Sequence, residues 1–236
     1  MRYSELGIGC SANQDCCGDG NLYGCPSDVS PSFCIKRYDT KPSFKVPVED
    51  CCNSIDLTDE NLILEYNMWA FAKLKTNISD TDDSISFADN IGFFQVEEND
   101  ILVISKGRLL EHMIVTGFDE DEKLVNVQRG HNSTNSQSWK KGDQILIFRV
   151  MDAPAEIELV YENVMNSDGT VENKLVQSLL VCNWDENSTK MPGCYWLEFK
   201  LIKMNPETSE VEWMRRIPAT TQGLLINIID SPTKEL

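Results

Sequence analysis

Histidine is almost missing from this chain of 236 residues, which holds two, His112 and His131. So few imidazoles leave little material for a proton shuttle or a histidine-ligated metal centre. His112 follows Glu111 in a strand-like run and His131 lies in a polar loop, so a cysteine–histidine nucleophile pair would have to bring one of them to a cysteine far away in sequence. Neither a phosphate-cradling glycine loop nor an HExxH pair is present, and no cofactor is expected. Cations are scarce too: 21 Lys and Arg face 38 Asp and Glu, for a formal net charge of −17. The pairs Lys140-Lys141 and Arg215-Arg216 stand isolated, whereas holding a phosphate backbone takes clustered cations, so nucleic acid is not an expected partner. No apolar run approaches the roughly 20 residues of a membrane helix, so no membrane association is expected. The opening MRYSELGIGCSANQDCCGDG carries no apolar core of a secretory signal, and synthesis in a cytoplasm is the expectation.

Cysteine is plentiful but lopsided. Seven of nine lie in the first 52 residues: Cys10, Cys16, Cys17, Cys25, Cys34, Cys51 and Cys52. Gly, Asn, Asp, Pro and Ser fill the gaps between them, so Met1 to Arg37 cannot build a core of its own. Three readings stay open for this arm. Zinc on Cys10, Cys16, Cys17, Cys25 and Cys34 would want paired short spacings, and the arm has C-x5-C-C-x7-C-x8-C with no histidine near. Disulfides among the seven, within the arm or between subunits, suit a small loop-rich segment. Reduced thiols packed on a partner are the third. Because nine is odd, at least one thiol is free or intermolecular.

Most of the remaining sequence alternates with a period of two. Ile101–Ser105, His112–Gly117, Leu124–Gln128 and Gln144–Val150 are apolar runs of strand length, broken by Lys106-Gly107, by the acidic turn Asp119–Glu122 and by Lys140–Asp143. Val125 and Val127 share one face. Between the last two runs, His131–Trp139 has no period and reads as a long polar loop. Phe44–Val48 alternates, and Asp168-Gly169 between two apolar runs is a hairpin signal. Tyr195, Leu197, Phe199 and Leu201 should point to one face, with Cys194, Trp196, Glu198 and Lys200 on the other. Asn205-Pro206 turns the chain towards VEWMRRIP, and Gly223–Asp230 is a final apolar strand. Leu62–Lys75 is the one serious helix candidate; its alternating front half and β-rich neighbours favour a long strand.

Three segments carry a resemblance. Glu111 to Asp143, with MIVTG, a turn, a strand and the loop Arg129-Gly130-His131-Asn132-Ser133-Thr134, resembles a segment common in bacteriophage tail and baseplate proteins, where the loop reads RGxNGT; Ser133 stands where that pattern has its second glycine. Thr40 to Trp69, with Asp39-Thr40 and Ile55-Asp56-Leu57-Thr58, resembles the opening of an immunoglobulin-like domain of phage baseplate upper proteins, and Pro192–Phe199 resembles a later strand of the same domain. The resemblance implies an all-β fold: an irregular Cys-rich N-terminal arm (1–38), a discontinuous immunoglobulin-like β-sandwich (39–90 with 151–236) and an inserted small β-barrel-like module (91–150). It also implies that Cys182 and Cys194 lie on neighbouring strands, where a bridge competes with two buried thiols.

The expected role is that of a non-enzymatic virion structural protein of a tailed phage, acting in the baseplate, tail or neck. Its partners would be other virion proteins and further copies of itself in a symmetric assembly. The loop of His131, Asn132, Ser133, Thr134 and Trp139 is the expected contact, at the outward tip of the insert. Two other classes remain open. A receptor- or carbohydrate-binding module would need Trp69, Trp139, Trp184, Trp196 and Trp213 to form an exposed platform. A metal-binding or redox protein would use the N-terminal cysteines. Asp80, Asp82, Asp83 and Asp89 lack the glycine and closing glutamate of an EF-hand and read as a solvated linker.

Overall fold

The structure is a computed structural model that describes residues 33–50, 53–54, 57–88, 96–217 and 224–229, with backbone only at 49–50 and 53–54. Cys10, Cys16, Cys17, Cys25, Cys51 and Cys52 fall outside the described residues, and so does Asp89.

All regular elements among the described residues are strands: β1 (Phe33–Lys36), β2 (Phe44–Pro47), β3 (Glu49–Asp50), β4 (Asn53–Ser54), β5 (Leu62–Lys73), β6 (Ser84–Ile85), β7 (Ile101–Lys106), β8 (Leu109–Asp119), β9 (Leu124–His131), β10 (Gln144–Pro154), β11 (Glu156–Met165), β12 (Val171–Cys182), β13 (Gly193–Met204), β14 (Val211–Ile217) and β15 (Leu224–Ile229). Ten of them form one sheet in the order β1-β15-β13-β5-β10-β7-β8-β9-β6, with β14 beside β13. A three-stranded sheet, β11-β12-β2, packs on one face of it, and the fold is a β-sandwich.

The alternation in the sequence decides which side chains fill the gap. Leu64, Tyr66, Met68, Ala70 and Ala72 of β5 and Tyr195, Leu197, Phe199 and Leu201 of β13 turn inward, where Phe44, Val46 and Leu180 of the smaller sheet meet them. Leu62–Lys73 is therefore a strand along its whole length. Its second face is apolar as well, at Trp69 and Phe71, which is why the pattern blurs there towards a helix.

The insert is hydrogen-bonded into the sandwich. β10 pairs with β5 on one side and with β7 on the other, so the sheet runs unbroken across residue 150, from the insert into the sandwich. It then curls until the far end returns to the end of β5: Leu74 bridges Phe87, Lys75 N–H donates to Ser86 O at 2.9 Å, and Ile78 bridges Trp139. Strands β5 to β10 without the sandwich partners thus close a small barrel filled by Ile85, Leu102, Ile104, Met113, Val115, Val125, Val127 and Ile145. The arm ends earlier than its sequence implies. Residues Phe33–Lys36 are already β1, running parallel to β15 with Ile35 in the core, because Phe33 and Ile35 alternate with polar neighbours.

Candidate interaction surface

The loop expected to project outward is anchored from beneath. Glu111 faces into the barrel and is completely buried, and its carboxylate collects four donors: Arg129 Nε at 2.6 Å, Arg129 Nη2 at 2.8 Å, Trp139 Nε1 at 2.7 Å and Gln137 N–H at 3.0 Å. Arg129 also donates to the carbonyls of Ser79, Asp82 and Gln137. Burial on its own would raise the Glu111 pKa, and these donors together outweigh it and hold the carboxyl below its ordinary value. Trp139 is thereby corrected from a contact residue to a core residue, 2% exposed. The loop keeps Asn132 and Ser133 in solvent, with His131 and Thr134 half-buried.

His131 sits opposite His112 across β8 and β9. Burial first, and then the neighbouring His131, lower the pKa of His112. Thr134 Oγ1 ties the loop down by accepting from His112 N–H at 2.9 Å and donating to His131 O at 2.7 Å.

The replaced glycine has a local consequence. Ser133 adopts φ 60° and Asn132 φ 50°, a left-handed backbone in which a side chain strains against its own carbonyl. Ser133→Gly removes that strain at a solvent-exposed position and should raise stability by roughly 0.5–1 kcal/mol, after the extra freedom of glycine in the unfolded chain is subtracted. Urea unfolding measures this; an unchanged or lower midpoint would show that the turn is relaxed with serine.

Three cysteines are described. Cys34 lies on β1. Cys182 is a free, completely buried thiol whose pKa burial pushes well above the ordinary value, beside Tyr66. Cys194 is disulfide-bonded, so the bridge between Cys182 and Cys194 does not form. The two point away from each other's layer: Cys182 turns into the core with β12, while Cys194 lies on the outer face of the large sheet with Trp69, Trp196 and Leu225. Among the described residues no three His, Cys, Asp or Glu side chains converge as a metal site. Asp82, from the acidic segment, instead closes a turn by accepting from Ser79 N–H at 2.7 Å.

The other buried charges are likewise engaged by structure. Arg149 Nη1 lies 2.9 Å from Glu97 and 3.3 Å from Asp100, at the seam between barrel and sandwich. Burial pushes Asp100 up to about 6, against the pull of Arg149. Glu198 accepts from Asn67 at 3.2 Å and from Arg216 at 2.9 Å. Two depressions among the described residues are open surface grooves, one lined by Phe33, Pro42, Lys45 and Leu179, the other by Glu97, Asn99, Phe118 and Lys190.

One element stands off the body. Every residue from 161 to 174, the outer half of the β11–β12 hairpin, is exposed. Its ladder pairs Tyr161 with Leu175 and Met165 with Val171, placing these four on one face, while Glu162 pairs with Lys174 on the other. Tyr161, Met165 and Val171 are 46%, 73% and 62% exposed. The turn is well made, with Gly169 at φ 83° and Asp168 Oδ1 accepting from Thr170 N–H at 2.9 Å. Nothing in the periodicity separates this ribbon from a buried hairpin; the missing signal is the second layer. A smaller apolar group, Val211, Trp213 and Met214, is exposed on β14, with the Arg215 guanidinium 5.4 Å from the Trp213 ring centre.

No family model matches the chain, and no curated protein matches its sequence.

Proposed function

We propose that this chain is a non-enzymatic structural protein of a tailed-phage virion, assembling the baseplate, tail or neck with other virion proteins and further copies of itself. The projecting ribbon carries the reading. A two-stranded ribbon without a second layer is marginal in water, and this one lays Tyr161, Leu175, Met165 and Val171 along a single face, as an element does that completes its packing on a neighbour. The likeness of the loop at Arg129–Thr134 to tail and baseplate proteins, and of the flanks to their immunoglobulin-like domains, supplies the phage context. The buried ionic groups support assembly over turnover, since Glu111, Arg129 and Glu198 are held by structural partners. A carbohydrate platform is disfavoured: Trp69, Trp139, Trp184 and Trp196 are buried, leaving Trp213 alone near the surface.

The test shortens the ribbon. Replacing residues 164–172 by Asn-Gly keeps the Asn163–Asn173 pair as the new hairpin end. Light scattering should find a discrete oligomer for the intact chain and at least tenfold weaker association for the shortened one, with the same melting temperature. An intact chain that stays monomeric at all concentrations, together with absence from purified particles by mass spectrometry, would overturn the proposal.

A further inference from the structure

The large sheet has an outer face that the smaller sheet does not touch, and part of it is dry. Trp69, Trp196 and Leu225 are at most 7% exposed, and so is Cys194 beside them at 5%. The apolar side chains packed against this group, Phe71, Leu146 and Phe148, stand on the same face of the same sheet. Neighbours in one plane cannot shield the outer surface of an indole, so a layer beyond the described strands excludes water there.

The sulfur of Cys194 identifies the layer. Cys182 is excluded as its partner by its free thiol. Cys34 and Cys194 both oppose Asn227, from opposite sides of β15, so two strand spacings of about 4.8 Å separate them, beyond the ~7 Å Cα limit of a disulfide. Cys51 and Cys52 follow directly on Asp50 and precede Asn53 in the sequence, and the β3–β4 pair to which those two neighbours belong adjoins β12 in the three-stranded sheet on the opposite face. Of the nine cysteines this leaves Cys10, Cys16, Cys17 and Cys25. Chain geometry permits it: β1 begins at Phe33 on the sheet edge, and the eight residues back to Cys25 span up to about 26 Å when extended, more than the two strands to be crossed.

We propose that the N-terminal arm, residues 1–32, docks on the outer face of the large sheet over Trp69, Trp196 and Leu225 and is stapled there by a disulfide from Cys194 to one of Cys10, Cys16, Cys17 and Cys25. Docking supplies the apolar cover that the arm's composition denies it alone. The staple forms by thiol–disulfide exchange: one thiolate attacks an external disulfide, the second thiolate displaces the carrier from the mixed disulfide, and the carrier leaves as two thiols bearing both electrons and both protons. The closed loop, some 170 residues or longer, is large enough for the staple to stabilise the fold strongly. This inference is independent of the assembly role.

The full chain, refolded in a glutathione redox buffer, is digested without reduction and its linked peptides are sequenced. A Cys194 peptide joined to one from residues 1–32 is the expected result. Cys194→Ser should then speed proteolysis within residues 1–32 at least tenfold and shift tryptophan emission to the red, whereas Cys182→Ser should change neither. Cys194 recovered as a thiol, joined to Cys51 or Cys52, or joined to a second chain would overturn the proposal, as would an arm cleaved equally fast in Cys194→Ser and the parent.

Discussion

Glu111→Ala should lower the unfolding free energy by about 3–5 kcal/mol, the usual effect of removing one partner from a buried, hydrogen-bonded ion pair. The side chains of Glu111 and Arg129 are 0% and 7% exposed, so the substitution strands a guanidinium in the barrel wall along with the Trp139 and Gln137 N–H groups. The loss should therefore be strongly coupled. Arg129→Met alone frees the carbonyls of Ser79, Asp82 and Gln137 and leaves the carboxylate unpaired, and the double variant should be more stable than the sum of the singles by 1 kcal/mol or more. Acid should act in the same direction. The folded carboxyl sits below its ordinary value of 4.5, so its contribution is complete above that value and is lost as pH falls through the depressed one. Urea unfolding at neutral and acid pH measures both effects; a single variant within 1 kcal/mol of the parent, or additive singles, would mean that the loop is not held by this pair.

Why the sequence conceals this node is a matter of period. On β8 the inward positions read Glu111, Met113, Val115, and a carboxylate in an apolar row is the one local sign of a buried partner. The partner lies 18 residues on, beyond a hairpin, where Arg129 looks like any loop cation. Trp139 is hidden in the same way, since a bridge of one residue to Ile78 leaves no alternation to read. The strands themselves are legible where one face is wet: Val125 and Val127, and Phe44 and Val46, face where the period puts them, and the Tyr195–Leu201 series does so too although Cys194, Trp196 and Glu198 behind it are also buried. The Asp168-Gly169 and Asp119–Glu122 turns fall where the turn residues place them. What alternation does not carry is which strands are neighbours. The pairing of β10 with β5, across more than 70 residues, is set by a barrel that must close, and the exposure of the ribbon is set by a layer that stops short.

Through that shared pair of strands, barrel and sandwich should unfold as one cooperative unit. Phe199 is fully buried in the sandwich, on β13 opposite Tyr66 of β5; Met113 is fully buried in the barrel, on β8 opposite Leu102 of β7, which in turn pairs with Ile147 of β10. Phe199→Ala should cost about 3–5 kcal/mol and Met113→Ala about 2–5 kcal/mol, a large part of the roughly 5–15 kcal/mol that holds a folded domain. If β5 and β10 transmit the loss, each substitution lowers amide protection on both sides of the seam, because neither half can keep its sheet once those two strands separate. Hydrogen exchange read on peptides from β8–β9 and from β12–β13 separates the outcomes. Phe199→Ala should reduce the opening free energy of β8–β9 by nearly as much as that of β12–β13, with one calorimetric transition throughout. Full protection surviving in β8–β9 would mean that the barrel folds without the sandwich, and that the hydrogen bonds between β5 and β10 join two separately stable halves.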